Sequence, residues 1–191
     1  DRLLESCWIF KGKAFIAINP DLVIDVNLSY TQISQARFRD VLQYLLKETA
    51  YPAKNLCLEL TESCRNLNVK LLREEVSFYK SLGVKIAIDD FGTGSSCLAL
   101  LRDLPNVDCL KLDQSFILNL PNNNIDQHIV DAFVQCANNL HMSVCLEGVE
   151  NKFIKTLVEK YKVTSHQGYL YSRPVSVEKY IELLTQKTIN L

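Results

Sequence analysis

The stretch VKIAIDDFGTG at residues 84–94 joins a short apolar run to two adjacent aspartates and a glycine-rich turn. An apolar run of this length is typical of a strand that is buried on both faces of a sheet. Aspartate and glycine favour the turn that ends such a strand. Residues 84–94 therefore predict a buried strand that ends in two carboxylates.

The same order, a short apolar run and then a longer amphipathic stretch, occurs six times along the chain. Strands are predicted at residues 22–28, 56–61, 84–89, 107–112, 143–147 and 163–167, and helices at residues 35–48, 69–82, 96–101, 125–140, 152–161 and 177–185. Apolar strands that alternate with helices indicate a parallel sheet covered by helices. Residues 3–10 are predicted as an additional helix, which Gly12 interrupts. The chain shows no linker and no repeat of fixed period, so one domain is predicted over residues 1–191.

Polar residues lie at or just past the end of each predicted strand: Asn27, Glu59, Asp89, Lys111, Glu147 and Gln167. An open doubly wound sheet gathers a site from a few neighbouring strands, whereas a barrel brings the ends of all its strands around one mouth. Six such residues on six strands favour the barrel. We therefore predict an α/β fold, a TIM-like (β/α)8 barrel of which this chain holds six βα units.

The composition argues against several classes of protein. The net charge is −1, so no DNA partner is expected. No apolar run reaches the roughly 20 residues of a membrane span, and the first residues do not resemble a signal peptide. We expect a cytoplasmic domain, although upstream regions could tether the intact protein to a membrane. Seven cysteines without a C-x-x-C pair predict reduced thiols rather than disulfides or a zinc site.

The polar residues around the strand ends share one chemistry. Carboxylate and amide oxygens suit Mg²⁺ or Mn²⁺ better than zinc. Two such ions about 4 Å apart can hold both oxygens of an in-line phosphoryl displacement, and a lysine can offset the charge that develops on phosphorus. Taken singly, each residue also fits a turn, a helix cap or a structural ion pair. The whole set favours a metal-dependent phosphoryl site: Asn27, Glu59, Glu62, Asp89, Asp90, Lys111, Glu147, Glu150 and Gln167.

The blocks around these residues resemble, in order and spacing, the signature blocks of EAL domains. They read DVNLS at residues 25–29, LELTES at 58–63, DDFGTG at 89–94, LKLD at 110–113, EGVE at 147–150 and QGYLYSRP at 167–174. The resemblance covers essentially the whole chain. It implies a (β/α)8 barrel with one antiparallel strand, which hydrolyses the bacterial second messenger cyclic di-GMP to linear pGpG. It further implies that Mg²⁺ or Mn²⁺ supports the reaction and that Ca²⁺ inhibits it.

The resemblance also implies which residues bind the metal ions. Asn27, Glu59 and Asp89 are similar to metal ligands of EAL domains. Asp90 is similar to the ligand of a second metal ion. All four are oxygen donors, so they are expected to converge on one divalent ion or on a pair of ions.

Further roles follow from the same resemblance. Lys111 resembles the lysine that contacts the attacking water, and Glu147 resembles a glutamate that acts as general base or as a ligand of the second metal. Glu62 resembles the residue that holds the loop after the two aspartates in place. Glu150 and Gln167 match further active-site positions.

Three features depart from the family pattern. No residue before Asn27 matches the Glu-Ala-Leu motif, whose glutamate is a metal ligand, so we expect the domain to lack its N-terminal part of about two βα units. The 191-residue chain alone is therefore expected to be catalytically silent, weak in metal binding and prone to associate. Residues 95–98 and Gln114 also differ from the common family pattern, but no metal ligand is lost there.

Two other functions fit the sequence. One is a catalytically inactive receptor that binds cyclic di-GMP and signals through a partner, and the other is an unrelated magnesium-dependent barrel enzyme. A receptor has no chemical need for both aspartates, Lys111 and Glu147, which favours the enzyme. For the intact protein we expect a homodimer and an upstream diguanylate-cyclase-like or sensory domain.

Overall fold

The computed structural model describes residues 11–35, 37–61, 68–93, 97–104 and 106–186. Two compact units are present: the first comprises Asp1–Ile86 and Val175–Ile189, and the second comprises Ala87–Pro174 and Asn190–Leu191. The described elements are, in chain order, α1 (residues 11–18), β1 (Ile24–Leu28), α2 (Tyr30–Ser34), α3 (Arg37–Thr49), a 3-10 turn (Ala53–Asn55), β2 (Leu56–Leu60), α4 (Val69–Ser81), β3 (Lys85–Phe91), α5 (Cys97–Asp103), β4 (Cys109–Leu112), α6 (Gln114–Asn119), α7 (Asn124–Asn139), β5 (Ser143–Leu146), α8 (Lys152–Val158), β6 (Ser165–His166) and α9 (Val177–Thr185).

The predicted alternation of strands and helices is confirmed in both units. In the first unit β1 and β2 pair in parallel, with Ile24 opposite Leu56 and Leu28 opposite Leu60. The crossover between them contains α2, whose first turn is closed by a capping box of Ser29 and Gln32. All five residues of β2 are buried, as expected for a strand covered on both faces.

The first unit is stabilised where α3 packs on α4. The rings of Phe38 and Tyr79 meet edge to face at 5.9 Å. Beside them the Arg39 guanidinium forms an ion pair of 2.8 Å with Glu75, whose carboxylate also accepts a bond of 2.8 Å from the Tyr79 hydroxyl. Glu75 is only 5% exposed, so these two donors satisfy a charge that would otherwise be costly to bury.

The prediction that Gly12 interrupts the first helix is wrong. The described helix α1 runs through Gly12, and a Cβ atom there would lie 2.8 Å from the side chains of Ile24 and Tyr51. Glycine at this position therefore lets α1 approach β1 closely instead of ending the helix. The helix predicted at residues 3–10 lies outside the described residues.

The second unit begins within β3, and its strands β3 to β6 pair in parallel in chain order. Large aliphatic side chains occupy alternate positions, as in Ile88, which lies opposite Leu110. The other positions carry smaller or polar groups, and in this row Lys111 lies opposite Cys145. Because side chains alternate between the two faces of a strand, the polar row forms one face of this sheet.

Two other expectations concern the whole chain. No disulfide bond joins the cysteines whose side chains the structure describes, Cys57, Cys109, Cys136 and Cys145. Among the residues that the structure covers, no helix has both the length and the apolar character needed to cross a membrane.

Candidate active site

The first unit brings two of the predicted metal ligands side by side. Asn27 on β1 lies directly opposite Glu59 on β2, so their side chains leave the same face of this strand pair. Asn27 is exposed, whereas Glu59 is only 5% exposed. Glu62, predicted to position a loop, lies outside the described residues.

In the second unit, β3 ends in an irregularity that changes the direction of the Asp90 side chain. In a regular strand Asp89 and Asp90 would point to opposite faces of the sheet. Here the register of β3 against β4 shifts between Ile88 and Phe91, and Asp90 adopts a left-handed conformation with φ of 49°. Aspartate tolerates this conformation better than most residues do. The shift brings both carboxylates to the same side of the sheet.

Three carboxylates meet at this point. One oxygen from each of Asp89, Asp90 and Glu147 lies within 4.8 Å of the others. Glu147 reaches the group because it follows β5 directly, and its backbone N–H donates to the carbonyl of Leu112 on β4 at 3.2 Å. Each of the three residues is partly buried. Their negative charges would repel one another without a cation among them.

Lys111 supplies one positive charge to this group. Its Nζ lies 2.8 Å from Oε1 of Glu147 and 3.1 Å from Oδ1 of Asp89. Lys111 is 6% exposed, because it stands on β4 between the strands that carry its two partners. The ammonium group therefore bridges the ends of β3 and β5.

Burial favours the protonated form of Glu147. Burial raises the pKa of Glu147, while its hydrogen bond and charge interaction with Lys111 act in the opposite direction. The neighbouring charges of Asp89 and Asp90 raise the pKa of Glu147 further. Glu147 is therefore better suited to hold a proton than an exposed glutamate is.

The group fits a divalent cation. Oδ1 of Asp89 is buried, and within the part of the chain that the structure describes it accepts no hydrogen bond, although the Lys111 ammonium lies within ion-pair distance. A buried carboxylate oxygen of this kind, beside two further carboxylates, matches the oxygen donors that Mg²⁺ and Mn²⁺ prefer. One lysine does not balance three carboxylates, and a divalent ion would supply the missing positive charge.

Two further predicted site residues follow β5 and β6. Glu150 and Gln167 are both exposed. Gln167 follows β6, and its backbone carbonyl accepts a 3.0 Å bond from the N–H of Val149. The turns after β5 and β6 are thereby joined through their backbones.

The sequence did not indicate α6 or its contacts with this site. The helix is short, and Asp113 caps it by accepting a bond of 2.9 Å from the N–H of Ser115. Gln114 and Phe116 of this helix contact the glycines that follow the carboxylates. The available signal was the run Asp113-Gln114-Ser115 directly after a strand, which is a typical helix start.

The comparisons with known proteins define the class of the chain. The family model "EAL domain" matches residues 4–174, so the chain belongs to the EAL domain family. Among curated relatives, cyclic di-GMP phosphodiesterase PdeF of Escherichia coli is 40% identical over 149 residues, 78% of this chain and 20% of that protein. Cyclic di-GMP phosphodiesterase NbdA of Pseudomonas aeruginosa is 36% identical over 163 residues, 85% of this chain and 21% of that protein. The chain thus spans less than a third of the curated relatives it matches.

Solved structures agree with this membership. The EAL domain of Mycobacterium smegmatis DcpA has a TM-score of 0.89 at 31% identity, over 98% of this chain and 84% of that chain. A structure described as "PaMucR Phosphodiesterase, c-di-GMP complex" has a TM-score of 0.80 at 31% identity, over 91% of this chain and 72% of that chain. The predicted α/β fold of the EAL type is therefore confirmed.

Proposed function

We propose that this chain is the catalytic part of a cyclic di-GMP phosphodiesterase that forms linear pGpG with Mg²⁺ or Mn²⁺. The observation that carries the proposal is the group of Asp89, Asp90 and Glu147 around Lys111. The names of the relatives PdeF and NbdA support the substrate, as does the ligand named for the PaMucR structure. The alignment with the family spans residues of both compact units, which supports a single EAL domain.

The proposed metal ligands in the second unit are Asp89 and Asp90, with Glu147 as a ligand or as the general base. Asn27 and Glu59 are proposed as ligands from the family resemblance and from their adjacent positions on β1 and β2. A divalent ion held by these residues would polarise a phosphate oxygen as a Lewis acid and would make a water molecule easier to deprotonate. Ca²⁺ is proposed to inhibit, since it takes more ligands at longer distances than Mg²⁺ does.

The residues of the chain supply charge and proton transfer. A water oxygen attacks phosphorus, and the bond from phosphorus to the bridging ribose oxygen breaks on the opposite side. Lys111 stabilises the negative charge that builds up on the phosphoryl oxygens. Glu147 accepts the proton that the water loses, a role helped by a pKa that burial raises. The departing ribose oxygen takes up one proton, so that one water is added across the bond.

Turnover by the longest reading frame that contains these residues tests the proposal. Cyclic di-GMP and pGpG are separated and quantified with Mg²⁺, with Mn²⁺, with Ca²⁺ and with a chelator. Asp89→Asn should lower kcat by a factor of about 10³ or more, because it replaces a charged ligand by a neutral one. Asp131→Asn is the matched control, since Asp131 is exposed on α7 and should leave turnover unchanged.

Three results contradict the proposal. Near-normal turnover by Asp89→Asn would remove this residue from the mechanism. Turnover that survives the chelator would exclude the metal. Tight binding of cyclic di-GMP by the parent protein without any hydrolysis would instead support the inactive receptor.

A further inference from the structure

We propose that α6 is a clamp that sets the separation between the aspartates at the end of β3 and the glutamate after β5. Gln114 and Phe116 are its positioning residues. The inference rests on the proposed function, because it concerns how the proposed metal ligands are held. It assigns a positioning role to two side chains that are not among the proposed metal ligands.

The first contact is between Phe116 and the turn after β3. Gly92 follows the two aspartates with φ of 104°, and a Cβ atom at this position would overlap the Phe116 ring. The turn itself is closed on Asp90, whose carbonyl accepts a bond of 3.0 Å from the Thr93 hydroxyl. The Phe116 ring therefore lies directly against a tight turn that includes a metal-ligand candidate.

Phe116 is itself held in place by an aromatic group. It meets Phe133 of α7 edge to face at 6.3 Å, and Phe133 meets Phe91 in the same way at 5.1 Å. Phe91 is fully buried and is the residue directly after Asp90. Edge-to-face pairs of this kind stabilise one arrangement of rings. The end of β3 is thereby packed on α6 and α7 together.

The second contact is between Gln114 and the turn after β5. Gly148 follows Glu147 with φ of 79°, and a Cβ atom there would lie 2.5 Å from Cβ and 3.1 Å from Cα of Gln114. The Cα atom belongs to the helix backbone, so it cannot move aside as a side-chain tip can. The start of α6 thus limits how far the turn that carries Glu147 can move towards it.

A third turn rests on the second. A Cβ atom at Gly168 would overlap the backbone of Val149, and the N–H of Val149 donates to the Gln167 carbonyl at 3.0 Å. The turn that carries Gln167 is therefore packed on the turn after β5, which α6 contacts. α6 therefore contacts the turns after β3 and β5 directly, and the turn after β6 packs on the turn after β5.

The start of α6 is fixed to the sheet. Asp113 follows β4 directly, and its N–H donates to the Phe91 carbonyl at 3.4 Å. Its side chain caps the helix through the N–H of Ser115. α6 is therefore held by the strand that carries Lys111, between the turn that follows β3 and the turn that carries Glu147.

A double-mutant cycle on the contact between α6 and the turn after β5 tests the clamp, with Mn²⁺ affinity as the readout. Gly148→Ala should weaken Mn²⁺ binding about 10-fold or more, as expected when the support of a metal ligand is disturbed. Adding Gln114→Gly removes the overlapping Cβ atom and should recover part of this loss, about 3-fold or more. Additive effects of the two changes would contradict the clamp.

Phe116→Ala tests the contact with the turn after β3. It should weaken Mn²⁺ binding about 10-fold as well, because the turn after the aspartates loses its support. Leu72→Ala is the control: Leu72 is 1% exposed on α4 of the first unit, so its truncation costs similar stability. It should shift the urea midpoint and leave the Mn²⁺ affinity unchanged. If Phe116→Ala and Leu72→Ala lose Mn²⁺ affinity equally, α6 contributes only to the stability of the fold, and the inference is wrong.

Amide hydrogen exchange separates this inference from the proposed function. If the longest reading frame that contains these residues binds no Mn²⁺, the metal site is wrong, and the clamp is judged from exchange alone. Phe116→Ala should expose the amide of Thr93, which donates to the Asp90 carbonyl within the turn after β3. Gln114→Gly should expose the amide of Glu147, which donates to the Leu112 carbonyl on β4 where the turn after β5 begins. If the amides of Thr93 and Glu147 exchange no faster in these variants than in the Leu72→Ala control, the clamp is contradicted.

Discussion

Replacing Lys111 by methionine keeps most of the side-chain volume and removes the single charge that bridges Asp89 and Glu147. The Lys111 Nζ lies 2.8 and 3.1 Å from the two carboxylates. At an effective dielectric constant of about 20, each pair attracts by roughly 5–6 kcal/mol before desolvation is counted. Desolvation of the buried ammonium offsets much of this attraction. Removing one partner of a buried ion pair costs about 3–5 kcal/mol of stability, which is the loss expected in the absence of metal.

The pH dependence of this loss has a definite sign. Burial already raises the pKa of Glu147, and Lys111 opposes that rise. Without Lys111 the pKa of Glu147 rises further in the folded state, so the folded chain binds this proton more tightly than the unfolded chain does. The loss of stability caused by Lys111→Met is then fully present above the pKa that Glu147 has in the folded chain. It disappears as the pH falls towards about 4.3, the usual pKa of glutamate. Mg²⁺ should also reduce the penalty, because it supplies positive charge to the same carboxylates.

Urea unfolding followed by circular dichroism measures these effects, at neutral pH and at about pH 5, with Mg²⁺ and with a chelator. Lys155→Met is the matched control. Lys155 pairs with Glu159 at 3.3 Å on α8, but both side chains are substantially exposed, so the loss should stay below about 1 kcal/mol. Equal losses in the two variants, or a Lys111→Met loss that does not change with pH, would refute the reasoning.

Three further predictions concern other parts of the chain. Glu75→Gln should lower the free energy of unfolding by about 2–3 kcal/mol. This loss is smaller than for a fully buried ion pair, because the Arg39 side chain is 33% exposed. Urea unfolding measures the loss, and Glu74→Gln at the neighbouring exposed position is the control. Burial raises the pKa of the Cys145 thiol to about 11, so iodoacetamide should alkylate it far more slowly in the folded chain than in urea, as read by mass spectrometry. Burial lowers the pKa of His166, so the unfolded chain protonates this imidazole more readily than the folded chain does. Thermal stability should therefore fall as the pH drops below about 6.5, the usual value for histidine. His166→Gln should remove this part of the pH dependence.

The periodicity of the sequence predicted most elements of the fold. α9 has the bounds that were predicted, and α7 differs from its prediction by one residue at each end. Local apolar spacing is enough for such helices, because it reports the face that will be buried. Five of the six described strands are shorter than predicted, β6 most of all with two residues where five were predicted, whereas β3 runs on to Phe91. Strand ends depend on a partner strand that is distant in the chain, so local pattern defines them poorly.

Elements with no long apolar period were missed. α2 has five residues and α6 has six, too few to show a helical repeat. Gly12 was predicted to interrupt a helix, because a glycine in a helical pattern is a weak signal of its end. Its actual neighbours, Ile24 and Tyr51, are set by packing that the local sequence does not show.

The sequence by itself determined which side chains stand at the strand ends, and that they are oxygen donors with one lysine among them. Only the tertiary structure decided that Asp89 and Asp90 act on the same side of the sheet. Alternation along a strand predicts opposite sides, and the shift that overrides it arises from pairing with β4, about twenty residues later in the chain. The contact of α6 with the turns after the carboxylates was likewise decided in three dimensions, because glycines at 92 and 148 allow a close approach that no local pattern encodes.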